Sequence, residues 1–325
     1  MAAVGFSGEW CIFTCDKKLV AVDSKQAREP FVFDCSAAEK KPKNVKDDNS
    51  DGSTSEETGS DKILAFTVSP SGKLVALTDD NKRLVLFHCE PSWQCISIRW
   101  VVRRCTSLHF TQAEDKLLVA DKSGDVYCFS VVEPQREGEL KMGHLSMLLA
   151  VTMSPDDKYI ITADRDEKIR VSLLNSPYNI QSFCLGHKQF VSALLVPSGH
   201  PNWLLSGSGD GTIKLWEYET GHKLQSWELN DLEKTPSSEA DKQKCLARIP
   251  VTNLFLLLFS YTATTRTNNR FEHLYKVSFD NVTAYLQKKQ QRVEEQQLKR
   301  KTVQRANSNK KAKKEMSKAL MEKST

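Results

Sequence analysis

A repeat with a period near 43 residues constrains this chain more than any other feature. Four segments align without gaps, each a polar turn followed by alternating apolar residues: Asn81–Phe87, Ser123–Phe129, Asp166–Ser172 and Asp210–Trp216. Their starts lie 42, 43 and 44 residues apart. Such a segment is typical of a hairpin that enters a half-buried strand. A period of this size indicates a ring or an array in which each repeat forms one small sheet.

Further signals mark the same units. Gly-His pairs end at His144 and His187, which stand 22 and 23 residues before the turn residues Asp166 and Asp210. With the terminal Trp216, this pattern resembles the WD-repeat family, whose unit is a four-stranded propeller blade. We therefore predict an all-β fold, a WD-repeat β-propeller.

The WD-repeat resemblance implies a hydrogen-bonded tetrad that ties a loop to the inner strands of a blade. Its predicted members in the last repeat are His187, Ser206, Asp210 and Trp216. The tryptophan N–H needs such a partner because it is buried. The preceding repeat keeps His144, Thr162 and Asp166 but has Ser172 in place of the tryptophan, which predicts an incomplete tetrad. The two earlier repeats have phenylalanine there.

The repeat period is constant, but the number of blades that it predicts does not complete a ring. An opening blade is predicted to end at Phe31–Asp34, and the polar residues 40–61 are predicted to be a disordered loop. Rings of this family usually have about seven blades. A last strand is predicted at Leu274–Asp280. Together with the region 219–270 before it, this strand is too short, by roughly one blade, to supply the blades that a complete ring still needs. We expect residues 1–280 to form a propeller incomplete by about one blade, as in a shortened isoform, or to close as a smaller ring of about six.

Charge is distributed unevenly along the chain. Residues 281–325 hold 13 Lys/Arg against 4 Asp/Glu, so the rest of the chain carries 5 − 9 = −4. Residues 281–301 are rich in helix formers and predict a basic helix, followed by a disordered basic tail over 302–325. The predicted tRNA-binding side chains are Lys288, Lys289, Arg292, Lys299, Arg300 and Lys301. The alternative is a solvated helix with a nuclear localisation cluster at Lys310–Lys314. We predict that the protein is located in the nucleus, with the cytoplasm as an alternative or additional location.

No motif in the sequence predicts catalysis. The glycine cluster Gly207–Gly211 joins two strands, whereas a phosphate or cofactor cradle lies between a strand and a helix. The histidines lack metal-ligand spacing, and the nine cysteines contain no CxxC pair. No stretch approaches the roughly 20 apolar residues of a membrane helix. We predict no catalytic, cofactor or metal site and no membrane partner.

Several longer strings are more specific than WD-repeat signatures. They are Asp34–Lys40, Ala76–Asp80, Val119–Tyr127, Gly143–Leu149, Thr162–Ser172, Ser182–His187 and Leu274–Thr283. These strings resemble the non-catalytic WD-repeat subunits of animal tRNA (guanine-N7) methyltransferases, over about residues 30–258 and 271–301. The resemblance implies a heterodimer in which this chain holds the catalytic subunit and helps to dock tRNA. It also implies that S-adenosylmethionine is bound by that other subunit.

The resemblance further implies which residues contact the catalytic subunit. They are Asp164, Arg165, Asp166, Glu167, Lys168 and Arg170, with Arg103, Arg104 and Lys122 as weaker candidates on the same rim. Alternatively, Asp166 is only the turn residue of its blade, and Lys168 and Arg170 are plain solvent-facing positions of a strand. The competing function is a general WD-repeat adaptor, such as a ubiquitin-ligase substrate receptor or a chromatin scaffold.

Overall fold

The computed structural model describes residues 2–25, 29–40, 59–229, 272–275 and 288–292. The chain forms two compact units, residues 1–275 and residues 276–325. The strands of the first unit are, in chain order, β1 Ala2–Ser7, β2 Trp10–Cys15, β3 Lys18–Asp23, β4 Phe31–Asp34, β5 Ile63–Val68, β6 Leu74–Asp79, β7 Arg83–His88, β8 Gln94–Trp100, β9 Cys105–Phe110, β10 Lys116–Asp121, β11 Asp125–Ser130, β12 Glu139–Gly143, β13 Leu148–Met153, β14 Tyr159–Asp164, β15 Ile169–Leu173, β16 Ile180–Cys184, β17 Val191–Leu195, β18 Trp203–Ser208, β19 Thr212–Glu217 and β20 His222–Glu228. Short 3-10 turns lie at Cys35–Ala37 and Glu272–Leu274.

The described strands form five four-stranded antiparallel sheets, each built from four strands consecutive in the chain. We call these sheets the first to the fifth blade. The first strands of successive blades contact one another, β1 with β5, β5 with β9, β9 with β13 and β13 with β17. The predicted all-β architecture of repeated four-stranded blades is therefore confirmed.

The hydrophobic core lies between neighbouring blades. Leu84 of the second blade packs in one cluster with Phe110 of the third, and Ile161 of the fourth packs with Leu204 of the fifth. A middle strand is therefore covered on both faces, which is why all six residues of β6 are buried. In the sequence, strands buried on both faces form nearly continuous apolar runs, without a strict alternation of apolar and polar residues.

The four aligned segments all fall on the third strand of a blade, namely β7, β11, β15 and β19, with the turn that precedes it. The opening segment Phe31–Asp34 is β4, the fourth strand of the first blade, so it ends that blade as predicted but is not equivalent to the others. Residues 41–58 of the predicted loop lie outside the described residues.

Two expectations about the end of the propeller need correction. Residues 222–228 do not belong to a truncated blade, because β20 pairs with β19 and completes the fifth blade. The predicted strand at Leu274–Asp280 does not begin at Leu274, which ends a 3-10 turn and is buried. The turn directs Leu274 inward and brings the Tyr275 ring to 5.1 Å from the ring of Phe190. Residues 276–280 and 230–271 lie outside the described residues, so ring closure stays a prediction.

Within the second unit, residues 288–292 are helical, in agreement with the helix predicted over 281–301. The side chains of Lys288, Lys289 and Arg292 are exposed there. Lys299, Arg300 and Lys301 and the predicted disordered tail lie outside the described residues.

Candidate partner-binding face

The candidate site lies at the end of the blades where the second strand turns into the third. The loop that leads into each blade lies at the same end and is bonded to this turn. Lys122 N donates to Arg104 O at 3.1 Å in the third blade, and Arg165 N donates to Met147 O at 2.9 Å in the fourth. We call this end the turn face and the other end, where the first strand turns into the second, the opposite face.

The predicted tetrad of the fifth blade is connected by hydrogen bonds on this face. His187 Nε2 lies 2.7 Å from Ser206 Oγ and His187 Nδ1 lies 3.0 Å from Asp210 Oδ2. The Trp216 indole N–H donates to Ser206 Oγ at 2.8 Å, and Lys188 N donates to Asp210 Oδ2 at 2.8 Å. The loop before β17 is thereby fixed to the turn between β18 and β19.

Burial and hydrogen bonding act in opposite directions on the charges of the tetrad. Burial lowers the pKa of His187, although its hydrogen bond to Asp210 opposes the shift. Burial by itself would raise the pKa of Asp210, but hydrogen bonds from His187, Thr212 and the Lys188 N–H bring it well below its usual range. At neutral pH the pair is therefore a neutral imidazole that donates to a carboxylate.

In the fourth blade the structure corrects the predicted assignment of the turn aspartates. His144 Nε2 lies 2.8 Å from Thr162 Oγ1, but its Nδ1 faces Asp164 Oδ2 at 3.4 Å, not Asp166. Asp164 also accepts from Lys168 N at 3.0 Å and is 2% exposed. Asp164 therefore supports the turn from inside and cannot be the exposed contact that we expected. The hydroxyl of Ser172, in the tryptophan position, is buried without a hydrogen-bond partner.

The other predicted interface residues of this blade reach the turn face. Arg165, Asp166 and Glu167 are partly exposed, and Lys168 is exposed. Arg170 is held at the start of β15, where its Nη1 donates to the carbonyl of Gly143 at 3.1 Å. Burial lowers the pKa of the Arg170 guanidinium, although Asp164 opposes this shift.

The remaining candidates line a cavity of about 710 Å³ between the second and third blades. Arg103, Arg104 and Lys122 are joined there by residues that the sequence did not single out, Lys40, Lys82, Arg83 and Trp100. These residues come from four separate segments of the chain, and only the tertiary structure brings the segments together. The signal in the sequence was limited to Lys82 and Arg83, since they belong to the repeated segment Asn81–Phe87.

Comparison with known protein families matches residues 15–141 and 130–310 to the family described as "tRNA methyltransferase TRM82 WD40 domain". The chain belongs to this family. Curated relatives named as non-catalytic subunits of tRNA (guanine-N(7)-)-methyltransferase include one from Danio rerio, 66% identical over 77% of this chain and 60% of the relative. A relative of the same name from Mus musculus is 57% identical and one from Homo sapiens 53%, each over 67% of this chain and 52% of its own length.

The chain thus spans about half to three fifths of the length of these relatives. A solved structure titled "Crystal Structure of Mitotic Checkpoint Complex" contains a chain with a TM-score of 0.55, which covers 71% of this chain and 66% of that one. At 14% sequence identity, that likeness concerns the fold alone.

Three further features bear on function. No group of three or more His, Cys, Asp or Glu within the described ranges could hold a metal ion. No helix in the described part of the chain is long and apolar enough to cross a membrane. The eight described cysteines are free thiols, and burial raises the pKa of Cys35, Cys105 and Cys184 to about 12.

Proposed function

We propose that this chain is the non-catalytic, scaffolding subunit of a heterodimeric tRNA N7-methylguanosine methyltransferase. It would stabilise the catalytic partner and help to dock tRNA. The observation that carries this proposal is the 53–66% identity to relatives with that printed function. In this role S-adenosylmethionine is bound by the catalytic partner, and the complex works in the nucleus.

The fourth blade supplies the best surface for the catalytic partner. Arg165 and Lys168 stand next to Asp166 and Glu167, so the surface contains charges of both signs at short spacing. Such a surface favours a partner whose charges are complementary and disfavours others. Arg103, Arg104 and Lys122 lie on the same face and extend it toward the third blade.

Arg170 is suited to be the central contact of this surface. Its guanidinium is already held by the carbonyl of Gly143, so little additional side-chain entropy is lost when a partner docks. Since burial lowers its pKa, an acidic group of the partner would stabilise the charged form.

Charge reversal at Lys168 together with Arg170→Gln tests this surface. We expect a loss of about 1–3 kcal/mol for each change, or about ten- to hundredfold in affinity, because each removes one interfacial charge contact. The measurement is the Kd of the purified chain for its catalytic partner, with Lys73→Glu on the opposite face as the matched control.

An unchanged Kd for the double variant, with an intact melting transition, would remove this surface from the interface. Co-purification of the wild-type chain from cells tests the function as a whole. Recovery of a methyltransferase supports the proposal, whereas recovery of a cullin adaptor or a chromatin complex supports the general adaptor.

The basic helix is proposed to contact tRNA phosphates. Deletion of residues 287–325 should weaken tRNA binding by the complex and reduce the slope of log K against log salt, since each phosphate contact contributes about 0.7–0.9. Fluorescence anisotropy at several salt concentrations measures both quantities. Equal slopes for the two forms would leave nuclear localisation as the role of this segment.

A further inference from the structure

Three exposed apolar side chains lie beside the charged surface of the fourth blade. Leu145 is fully exposed in the loop that leads into β13, and Phe183 is 40% exposed on β16. Leu185, which is 61% exposed, follows β16 directly, where that strand reaches the turn face. We call these three side chains the apolar patch. Single exposed apolar residues are common on protein surfaces, so the patch is informative only if its members lie together.

Arg170 links Phe183 to the loop that carries Leu145. Phe183 is the cross-strand partner of Arg170 in the pairing of β15 with β16, so the two side chains leave the sheet on the same side. Arg170 Nη1 donates to the carbonyl of Gly143 at 3.1 Å, two residues before Leu145. One arginine side chain therefore spans the distance between the phenylalanine and the loop of the leucine.

The loop of Leu145 is fixed at both ends. Before the leucine, His144 Nε2 lies 2.8 Å from the hydroxyl of Thr162. After the leucine, the carbonyl of Met147 accepts from Arg165 N at 2.9 Å. Both bonds connect the loop to the fourth blade. Leu145 is therefore held in a defined position at the surface, and little loop entropy is lost when a partner covers it.

The apolar patch lies where Arg170 is already partly shielded from water. The Arg170 Nε is buried and has no hydrogen-bond partner among the described residues. A charge contact becomes stronger when apolar neighbours exclude water from it, because the local dielectric constant falls. Leu145 and Phe183 stand on two sides of this guanidinium, so a partner that covers them also removes water from Arg170.

We propose that the apolar patch binds apolar side chains of the catalytic partner, next to a carboxylate of that partner that pairs with Arg170. This inference rests on the proposed function, which makes the fourth blade the surface for the partner. The patch is continuous with the mixed charges of residues 165–168, and an apolar centre with polar groups around it is the composition of a protein–protein interface. RNA is disfavoured, because its affinity comes mainly from phosphate contacts that aliphatic side chains cannot make.

The patch and the charges around it contribute differently to binding. Charges of both signs select the partner and steer its approach more than they raise the affinity. Burial of apolar surface is the dominant favourable contribution in most protein association, and it grows with the area that is covered. The apolar patch therefore supplies affinity, whereas the neighbouring charges supply orientation and specificity.

The test uses the double variant Leu145→Gln with Phe183→Gln of the full chain and the purified catalytic partner. Glutamine removes the apolar surface without a change in charge. The matched control is Tyr178→Gln with Ile180→Gln, two exposed apolar residues at the opposite-face end of β16. A conservative variant, Leu145→Met with Phe183→Leu, keeps the patch apolar.

We expect the double variant to raise the Kd about ten- to hundredfold at every sodium chloride concentration. Salt screens charge contacts, and these are retained, so the slope of log Kd against log salt should equal that of the wild type. Calorimetry should give a less negative heat-capacity change of binding, since less apolar surface is buried. The control and the conservative variant should bind like the wild type.

Leu145→Gln alone keeps the test open if the double variant does not fold. This side chain is fully exposed, so the single variant should retain the wild-type melting transition and raise the Kd about three- to tenfold. An unchanged Kd and heat-capacity change in a folded single and double variant would overturn the proposal.

Two other results would also overturn it. One is an equal loss of affinity in the control variant, which would mean that the effect is not local to the turn face. The other is self-association of the free chain that the double variant abolishes in sedimentation, which would assign the patch to a second copy. If the wild-type chain itself binds no methyltransferase, the proposed function fails, and this failure is recognised without any variant.

Discussion

The fifth and third blades have the same four-stranded architecture but opposite chemistry at equivalent positions. In the fifth blade His187, Ser206 and Trp216 form a hydrogen-bonded network that includes Asp210. The third blade has apolar side chains at three of these positions, Val101, Val119 and Phe129. Those three residues are almost fully buried and belong to one cluster.

The backbone of the turn and the interior of the blade are therefore stabilised by separate interactions. In the third blade Asp121 still accepts from Ser123 N at 2.8 Å and from Asp125 N at 3.0 Å. In the fifth blade the equivalent position holds Ser208, whose hydroxyl accepts from Asp210 N at 3.2 Å. The turn needs an acceptor because its N–H groups point inward, whereas the interior needs only a filled volume without unpaired polar atoms.

The largest effect is expected from Trp216→Ala. The side chain is completely buried, so its removal leaves a cavity and should lower the free energy of unfolding by about 3–5 kcal/mol. Trp216→Phe mimics the third blade and should cost about 1–2 kcal/mol, since it loses mainly the bond to Ser206. Urea unfolding of the purified chain measures both. Equal losses for the two variants would mean that the hydrogen bond, not the volume, dominates.

The next effect concerns Ser206→Val, which places the residue of the third blade in the fifth. His187 Nε2 and Trp216 Nε1 then lose their shared partner inside the protein, so we expect a loss of about 2–4 kcal/mol in unfolding free energy. The reciprocal change Val119→Ser buries one unpaired hydroxyl and should cost about 1–3 kcal/mol.

A combined variant sharpens this test of the two interiors. His187→Val, Ser206→Val and Trp216→Phe together make the fifth blade as apolar as the third. This variant should be more stable than the sum of the three single losses predicts, because no polar atom is left unpaired. Simple additivity in urea unfolding would contradict the view that the two interiors are alternative solutions.

The smallest effect is the pH dependence of stability that comes from two histidines with lowered pKa values, His109 and His187. Burial lowers the pKa of His109, on the inner strand of the third blade, to about 4, and Asp157 opposes this only in part. A histidine whose folded pKa lies below its unfolded value of about 6.5 contributes stability above pH 6.5 that is lost as the pH falls toward 4.

For His109 we expect a loss of about 1–2 kcal/mol over that window, less than the full shift would give, because the residue is only half-buried. Thermal unfolding of wild type and His109→Gln at several pH values measures the difference. His187→Gln should also reduce the acid sensitivity, because burial lowers the pKa of His187 as well. If the melting temperatures of wild type and His109→Gln depend on pH in the same way, His109 does not cause the loss of stability in acid.

Much of the fold could be predicted because repetition is a local property. Turn chemistry and alternation placed four third strands correctly, and the resemblance to the WD-repeat family implied the tetrad of His187, Ser206, Asp210 and Trp216. The fourth blade could not be assigned in the same way, since Asp164 and Asp166 both follow β14 closely. Which carboxylate faces His144 depends on the path of the turn, and side-chain type alone does not specify it.

The repeat, the blade architecture and the concentration of cations in the C-terminal segment could all be recognised from the amino-acid sequence. These follow from hydrophobic period, turn residues and composition, which act over a few residues at a time. Three features became visible only in the folded chain: Asp164 is buried, Arg83 is a structural cation, and Lys82, Arg103 and Lys122 line one cavity. Burial and convergence depend on how successive blades pack, and residues some 40 positions apart in the chain meet only when that packing is complete.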